Sequence, residues 1–279
     1  MESKIIDGTA HAAAIRREVK EIVDTGVVKN PHLAVVLVGE NPASLVYIKH
    51  KRNACKEAGI KFTLHSLPET ATQQEVLGVI DALNNDPSVH GLLVQQPLPP
   101  QLNTHEVVLR VNPKKDVDCL HPHNLGLVAM GQAHILPCTP SGVVNLLKRE
   151  SIDITGKHAV IVGRSNIVGK PLAFMLLEEN ATVTICHSRT KNLPEICRQA
   201  DILVAAIGKP KFIAAHYVKE GAVVIDVGIN RENSKLCGDV DFENVKCKAS
   251  HITPVPGGVG PMTVAILMEN CIRAYQLQN

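Results

Sequence analysis

The chain has 279 residues, no tryptophan, only 3% aromatic residues and a formal net charge of +2. Binding of nucleic acid relies on aromatic stacking surfaces or basic patches, so we expect no nucleic-acid partner. No apolar run approaches the length of a membrane span, and the first residues are too polar for a secretory signal. We therefore expect a globular protein of the cytoplasm without membrane association.

Metal-ligand spacing is also missing. The eight cysteines are scattered without a Cys-x-x-Cys pair, which is typical of reduced thiols in a cytosolic protein. His121-Pro122-His123 is the single close pair among 13 histidines. Without further cysteines or histidines at ligand spacing, it indicates a loop rather than a metal site.

Two series of alternating helices and short apolar strands run along the chain. The first has predicted helices at 9–28, 42–58 and 72–84 and strands at 32–38, 61–67 and 91–95. The second has strands at 159–162, 181–186, 202–207 and 223–227. A connecting helix is predicted at 141–149 and an apolar helix at 262–275. This pattern predicts two α/β domains with parallel sheets, 1–139 joined by a C-terminal helix at 262–279, and 140–261.

A glycine turn follows the first strand of the second series. Gly163 ends the strand, and Gly169 and Pro171 open the next helix, whose free N–H groups attract anions. Five residues between the glycines, and Pro171 after Lys170, argue against a P-loop. Ser165 stands where the usual dinucleotide fingerprint has its second glycine. An ordinary strand–turn–helix remains the alternative.

The following strand favours NADP over NAD as the ligand of this turn. An NAD site usually carries an acidic residue at the end of that strand, whereas an arginine suits the 2′-phosphate of NADP. No Asp or Glu lies between Ala181 and Lys191, and Arg164, Ser188 and Arg189 supply donors instead. The arginines could also be solvated surface residues.

Tyr47 and Lys51 are spaced i and i+4 on a predicted helix, so they share one face. A lysine in an apolar pocket beside a tyrosine can serve as an acid or base, although a surface pair is the commoner explanation of this pattern alone. Short-chain dehydrogenases also use Tyr-x-x-x-Lys, but there the glycine loop precedes the pair, and here it follows by more than a hundred residues.

Three further segments carry candidate binding residues. Gln95 and Gln96 end a buried strand, where ligands of α/β sheets bind. Asp116 and Asp118 could bind an amide-like ring edge or cap a helix. The loop 253–263, rich in glycine and proline, allows close approach to a ligand or connects domains.

Together and in this order, these pieces resemble the bifunctional methylenetetrahydrofolate dehydrogenase/cyclohydrolase family. The matching stretches are Tyr47-Ile-Lys-His-Lys51, Gly91-Leu-Leu-Val-Gln95, Lys115-Asp-Val-Asp118, Gly163-Arg-Ser-Asn-Ile-Val-Gly169, Asp226-Val-Gly-Ile-Asn230 and Pro256-Gly-Gly-Val-Gly-Pro-Met-Thr263. The resemblance spans nearly the whole chain. One departure is Cys119, where the family usually has glycine after the second aspartate.

The resemblance implies an N-terminal catalytic domain, a C-terminal Rossmann-like NADP-binding domain and an active-site cleft between them. The family oxidises 5,10-methylenetetrahydrofolate with NADP and hydrolyses the methenyl product to 10-formyltetrahydrofolate, and it forms homodimers. A monofunctional dehydrogenase and a non-catalytic nucleotide-binding protein are the alternatives. Retention of Tyr47, Lys51, Gln95 and Asp118 together argues against the binding protein.

The resemblance also implies the roles of single residues. Lys51 would transfer protons, Gln95 would hold it and tune its protonation, Tyr47 would stack on the folate and Asp118 would bind the pterin edge. Further folate contacts are expected from Val94 and from the loop Pro256, Gly257, Gly258, Val259 and Gly260. Cofactor contacts are expected from Gly163, Arg164, Ser165, Ile167, Ser188 and Arg189, with Ile229 at the nicotinamide end.

Overall fold

The computed structural model describes residues 3–232 and 235–279. The chain folds into two compact units. The three-stranded unit comprises Ala13–Leu136 and Val264–Asn279, and the six-stranded unit comprises the chain up to Ala12 together with Pro137–Thr263. No helix within the described ranges is both long enough and apolar enough to span a membrane.

The helices and strands alternate along the described chain. In order they are β1 Lys4–Ile5, α1 Gly8–Asp24, β2 His32–Val38, α2 Pro42–Ala58, β3 Lys61–Leu67, α3 Gln73–Asn85, β4 Gly91–Val94, α4 Thr104–Arg110, α5 Pro122–Ala129, α6 Cys138–Arg149, β5 His158–Val162, α7 Gly169–Glu178, β6 Thr182–Cys186, α8 Leu193–Cys197, β7 Ile202–Ala205, β8 Val223–Asp226, β9 Asn230–Glu232, β10 Lys235–Cys237, α9 Phe242–Val245, β11 His251–Ile252 and α10 Val259–Gln276.

The three-stranded unit is built on a parallel sheet of order β3-β2-β4. Every residue of the central strand β2 is buried, as expected for a parallel strand covered on both faces. Ala34 and Val36 of this strand share a hydrophobic cluster with Val76 and Ile80 of α3. The well-packed sheet therefore fixes the positions of the residues that follow the carboxyl ends of its strands.

Helix α2 has a defined cap at each end. The Asn41 side chain accepts from the N–H groups of Ala43 and Ser44, at 3.0 and 3.3 Å, and Gly59 ends the helix with φ 73°. Such an N-cap stabilises a helix by about 1 kcal/mol, and glycine adopts the left-handed end conformation without steric cost. The caps set the length of the helix that carries Tyr47 and Lys51.

The six-stranded unit contains a parallel sheet of order β1-β11-β8-β7-β5-β6, and β9 and β10 form a separate antiparallel pair. From β5 the chain passes outward to β6 and then crosses back to β7 on the other side of β5. Ligands of such sheets bind at this reversal, beyond the carboxyl ends of the strands. The turn after β5, which begins at Gly163, lies at that place.

The predicted fold class of two α/β domains with parallel sheets is confirmed. Element ends differ by a few residues: β4 ends at Val94 rather than Gln95, and α6 begins at Cys138 rather than Ser141. Pro140 lies in the first turn of α6, where its missing N–H would have had no helical partner anyway.

The amino terminus differs from the predicted domain bounds of 1–139 and 140–261. Strand β1 pairs with β11, and the Ile6 N–H donates to Ile252 O at 2.9 Å, so this segment belongs to the six-stranded unit. A strand of two residues is too short to show an apolar alternation. At the other end, Asn270 of α10 donates to the carbonyls of Val117 and Leu136, at 2.8 and 2.7 Å, within the three-stranded unit.

Candidate active site

The Lys51 side chain is buried and is held by Gln95. Its Nζ donates to Gln95 Oε1 at 2.8 Å, and the two residues are 9% and 8% exposed. Gln95 directly follows β4, and its own backbone N–H donates to Val36 O at 2.9 Å. Its Nε2 donates to Gln96 O at 2.6 Å, which keeps the amide oxygen turned toward the lysine. Lys51 is thus no solvated surface lysine but an amine with a neutral, oriented acceptor.

Uncharged side chains flank Lys51 along α2. Tyr47, one turn earlier, is half-buried, and burial raises the pKa of its phenol. Cys55, one turn later, is fully buried, and burial raises the pKa of its thiol to about 12, although the charge of Lys51 acts in the opposite direction. Both groups are neutral near pH 7, so Lys51 is the one side chain of this triplet that can carry charge there.

The two aspartates after Lys115 have different surroundings. Asp116 is buried and accepts from His121 N at 2.8 Å and Asn124 Nδ2 at 2.9 Å. Burial raises the pKa of Asp116, while these donors lower it. Asp118 is half-buried, and its carboxylate has no hydrogen-bond partner within residues 3–232 and 235–279. Asp116 therefore holds the loop together, and Asp118 is available to a ligand.

Lys115 anchors the same loop through hydrogen bonds of its side chain and its backbone carbonyl. It is buried, and its Nζ donates to Leu83 O at 3.0 Å and Asp86 O at 2.7 Å. Its own carbonyl accepts from Leu92 N at 2.7 Å, which ties the loop to β4. The loop that carries Asp118 is thereby fixed to the strand that precedes Gln95.

Cys119 occupies a backbone conformation that favours glycine. Its φ is 58°, in the left-handed region, where a side chain costs about 1 kcal/mol. The side chain is fully buried, and Sγ donates to Ile135 O at 3.3 Å. The positive φ explains why glycine would suit this position, and the buried contact of the thiol with Ile135 O holds Cys119 in that conformation.

The turn after β5 leaves no room for a side chain at either glycine. A Cβ on Gly163, whose φ is 134°, would lie 2.1 Å from Ala206 O, and a Cβ on Gly169 would lie 2.1 Å from Gly163 O. Ser165 Oγ accepts from Val168 N at 3.1 Å and braces the turn. We call this turn, residues 163–169, the cradle; it lies at the strand reversal, where sheets of this kind bind dinucleotides.

Exposed side chains line this cradle. Arg164 and Ser165, which can donate hydrogen bonds, and the apolar Ile167 are exposed along the turn. Gly163 N donates to Cys186 O at 2.9 Å, so the turn lies beside the end of β6.

The segment after β6 continues this surface. There His187 N donates to Thr190 Oγ1 at 2.8 Å, and Arg189 N donates to His187 Nδ1 at 3.1 Å. This tight loop leaves the side chains of Ser188 and Arg189 exposed next to the cradle.

The glycine-proline loop before α10 is folded tightly on the start of α1. A Cβ on Gly8 would lie 1.9 Å from Gly258 O, and Thr9 N donates to Gly257 O at 3.1 Å. Ile229 is 49% exposed, and its Cδ1 lies 3.7 Å from the position of a Cβ on Gly260. The six-stranded unit therefore brings Ile229 to the loop 256–260.

The residues that the sequence singled out divide between the two units. The three-stranded unit holds Tyr47, Lys51, Val94, Gln95 and Asp118, and the six-stranded unit holds the cradle, the Ser188 segment, Ile229 and the loop 256–260. Two supporting residues were missed. Cys55 continues the i, i+4 spacing of Tyr47 and Lys51, and Gly8 directly follows Asp7, which caps α1 by accepting from Ala10 N at 3.0 Å.

The histidine pair near Asp118 has a local role. His121 Nδ1 accepts from His123 N at 3.1 Å and so caps α5.

Comparison with known proteins gives the same family for both parts of the chain. Residues 6–118 match the family model for the tetrahydrofolate dehydrogenase/cyclohydrolase catalytic domain, and residues 137–279 match that for its NAD(P)-binding domain. Bifunctional protein FolD of Halalkalibacterium halodurans is 54% identical over 278 residues, covering 98% of this chain and 99% of that protein. Bifunctional protein FolD of Caldicellulosiruptor saccharolyticus is 56% identical over 270 residues, covering 95% and 96%.

Solved structures agree with this result. The FolD methylenetetrahydrofolate dehydrogenase/cyclohydrolase of Campylobacter jejuni is 48% identical with a TM-score of 0.96, covering 99% of this chain and 100% of that one. The FolD enzyme of Trypanosoma brucei, complexed with NADP cofactor and inhibitor, is 36% identical with a TM-score of 0.94, covering 99% and 98%.

Proposed function

The chain belongs to the tetrahydrofolate dehydrogenase/cyclohydrolase family, and from this premise we propose that Lys51, held by Gln95, is its proton-transferring residue. The protein is a bifunctional enzyme. It oxidises 5,10-methylenetetrahydrofolate to 5,10-methenyltetrahydrofolate with NADP and hydrolyses the product to 10-formyltetrahydrofolate. One observation carries the residue assignment: the 2.8 Å contact between Lys51 Nζ and Gln95 Oε1, both buried at the carboxyl end of β4.

The residues around the Gly163 cradle fit the cofactor. The turn from Gly163 to Gly169, which ends at the start of α7, would bind the pyrophosphate, and Arg164, Ser188 and Arg189 would bind the 2′-phosphate that distinguishes NADP from NAD. When bound, NADP accepts a hydride from the methylene carbon of the folate. Gly163, Arg164, Ser165 and Ile167 would orient it from the phosphate side, and Ile229 from the nicotinamide side.

Oxidation requires positioning more than proton transfer. The substrate loses a hydride and becomes a cation, so no side chain has to move a proton in this step. Asp118 would accept the adjacent N–H groups of the pterin edge, because its carboxylate is not used within the described chain. Tyr47 would stack on the ring, and Val94 and the loop from Pro256 through Gly257, Gly258, Val259 and Gly260 would line the folate.

Hydrolysis requires three proton movements. Water oxygen bonds to the methenyl carbon and releases one proton, which leaves a carbinol. The carbinol hydroxyl then loses its proton to solvent as the C=O bond forms and the carbon–nitrogen bond at N5 breaks, and that nitrogen gains a proton. Lys51 would accept the first proton and return one to the leaving nitrogen. Gln95 is a neutral acceptor, so it orients the amine without the strong preference for the charged form that a carboxylate would impose.

The replacement of Lys51 by methionine tests this assignment. Lys51→Met retains a long apolar stem but has no transferable proton. Cyclohydrolase activity, followed as decay of methenyltetrahydrofolate absorbance, should be abolished, while NADP binding, measured by calorimetric titration, should be retained. Lys49→Met on the exposed face of α2 is the matched control. Hydrolysis by Lys51→Met at the parental rate would exclude Lys51 as the proton-transferring group.

We also propose that the enzyme is a homodimer of the cytoplasm. Phe174 and Leu177 of α7 and Ile185 of the edge strand β6 are exposed apolar residues of the six-stranded unit, and a second copy would cover them. Light scattering should give twice the chain mass, and Leu177→Glu should lower it; a monomeric parent would contradict the dimer. All eight cysteines are free thiols, which suits a reducing compartment.

A further inference from the structure

Two buried aspartates, one of which accepts from the backbone of the other, lie next to the nicotinamide end of the proposed cofactor site. Asp226 is the last residue of β8 and is 3% exposed, and Asp239 is 0% exposed. Asp226 Oδ1 accepts from the backbone N–H groups of Gly228 and Asp239, both at 2.9 Å, and its Oδ2 accepts from Val240 N at 2.9 Å. The first carboxylate therefore fixes the backbone of the second.

Asp239 in turn holds two segments that face the cofactor site. Its Oδ2 accepts from Ile207 N at 2.6 Å and Gly208 N at 2.9 Å. Its Oδ1 accepts from Lys209 N and from Asn230 Nδ2, both at 2.8 Å. One side chain thus secures three successive N–H groups beyond β7 and the residue next to Ile229.

Two glycines make this arrangement sterically possible. A Cβ on Gly228 would lie 2.4 Å from Asp239 Cγ, and a Cβ on Gly238 would lie 1.8 Å from Asp226 Oδ2. Any other residue would displace the carboxylates, because nothing larger than hydrogen fits there. The pair is consequently a specific construction of these segments and not a chance approach of two acids.

The segments held by Asp239 adjoin both ends of the cofactor site. Ala206, immediately before the secured N–H groups, supplies the carbonyl against which Gly163 packs. Ile229 lies between Gly228, bonded to Asp226, and Asn230, bonded to Asp239. The carboxylates therefore join the phosphate cradle to the residue expected at the nicotinamide.

We infer that Asp239, itself held by Asp226, is a positioning residue for hydride transfer, fixing Ile229 and residues 207–209 so that the nicotinamide meets the folate carbon in a reactive geometry. Neither carboxylate touches the reacting atoms in this role. The inference rests on the proposed function. A displacement of the order of 1 Å at such a site can lower a rate by about 100-fold.

Asp239→Asn tests the inference in the full chain. Whichever way the new amide is turned, its NH₂ group faces two donors that the carboxylate accepted, so at least two hydrogen bonds are lost. We expect the dehydrogenase kcat to fall by about 10- to 100-fold, with a smaller change in KM for NADP, since Asp239 bonds none of the residues assigned to the 2′-phosphate. Hydrolysis of added methenyltetrahydrofolate without cofactor should stay within about twofold of the parental rate.

Two further variants keep the test decisive. Asp241→Asn makes the same chemical change two residues away, where the side chain bonds Asn244, and should retain both activities. Asn230→Ala removes one donor and leaves the three backbone donors to Asp239, so it should fold and lower the dehydrogenase kcat by several-fold even if Asp239→Asn is insoluble.

The possible failures are distinguishable. Equal loss of dehydrogenase and cyclohydrolase in Asn230→Ala or Asp239→Asn would mean a merely structural role, and an unchanged dehydrogenase kcat in folded Asp239→Asn would exclude positioning. A parent protein that binds NADP but does not oxidise methylenetetrahydrofolate would instead overturn the proposed function, and the inference with it.

Discussion

Replacing Gln95 by glutamate should shift the pH dependence of hydrolysis. The change is isosteric and places a carboxylate oxygen 2.8 Å from Lys51 Nζ. At this separation and an effective dielectric constant of about 20, the attraction between unit charges is about 6 kcal/mol. Burial of the new carboxylate, at a position only 8% exposed, offsets several kcal/mol of this gain. The attraction that remains favours protonated Lys51, so the pH dependence of hydrolysis should move upward by about one to three pH units.

A secondary effect concerns folding. Gln95 Nε2 donates to Gln96 O, and a carboxylate oxygen cannot replace this donor. The loss should lower the free energy of unfolding by about 1–3 kcal/mol, which a thermal melt would detect. The kinetic comparison is therefore made well below the melting temperature of the variant.

The assay is decay of methenyltetrahydrofolate between about pH 6 and pH 10 for the parent, Gln95→Glu and the control Gln96→Glu, a half-buried neighbour. At pH 7 the rate of Gln95→Glu should fall by about 10- to 1,000-fold and recover as the pH rises. Oxidation with NADP should change far less, because no proton moves in that step. A folded Gln95→Glu enzyme whose profile overlays the parental one would refute the reasoning.

Three further predictions concern binding and stability. Asp118→Ala should raise the folate KM by about 10- to 100-fold in steady-state assays at saturating NADP, because a charge-assisted contact to the pterin is lost; an unchanged KM would exclude that contact. Arg189→Ala should raise KM for NADP by about tenfold and leave KM for NAD unaltered, whereas equal changes would argue against 2′-phosphate binding. Burial raises the pKa of Asp226 from 3.8 to about 6, so its contribution to stability is present below pH 3.8 and is lost as the pH rises through 6. The loss amounts to about 3 kcal/mol. In denaturant unfolding, the free energy of unfolding of Asp226→Asn should lie below that of the parent at pH 4, and this difference should shrink by a comparable amount by pH 7. A difference that stays constant between these pH values would contradict the assignment.

Local patterns in the sequence predicted the elements that carry the site. Caps and apolar periodicity act within a few residues, so α2 and β5 could be placed from Asn41, Gly59 and Gly163. The resemblance then indicated roles for Lys51 and Asp118 that their spacing alone left open. Strand β1 was not predicted from the sequence, because its two residues form a strand only by pairing with β11, almost 250 residues away.

Local chemistry did not separate the two aspartates of Lys-Asp-Val-Asp. Both could have capped a helix or bound a ring edge. In the folded chain Asp116 is buried among donors from α5 and the residues just before it, whereas Asp118 is half-buried and accepts from no donor in the described residues. Burial depends on packing between distant segments, which no short pattern records.

The sequence by itself determined where the chain forms helices, strands and the glycine turn, since φ/ψ preferences and hydrogen bonds over three or four residues decide these. Tertiary structure alone decided that Lys51 meets Gln95, 44 residues further on, and that Asp239 gathers the N–H groups beyond β7. Such contacts exist because parallel strands bring the ends of separate segments to one edge of a sheet, where buried polar groups must find partners.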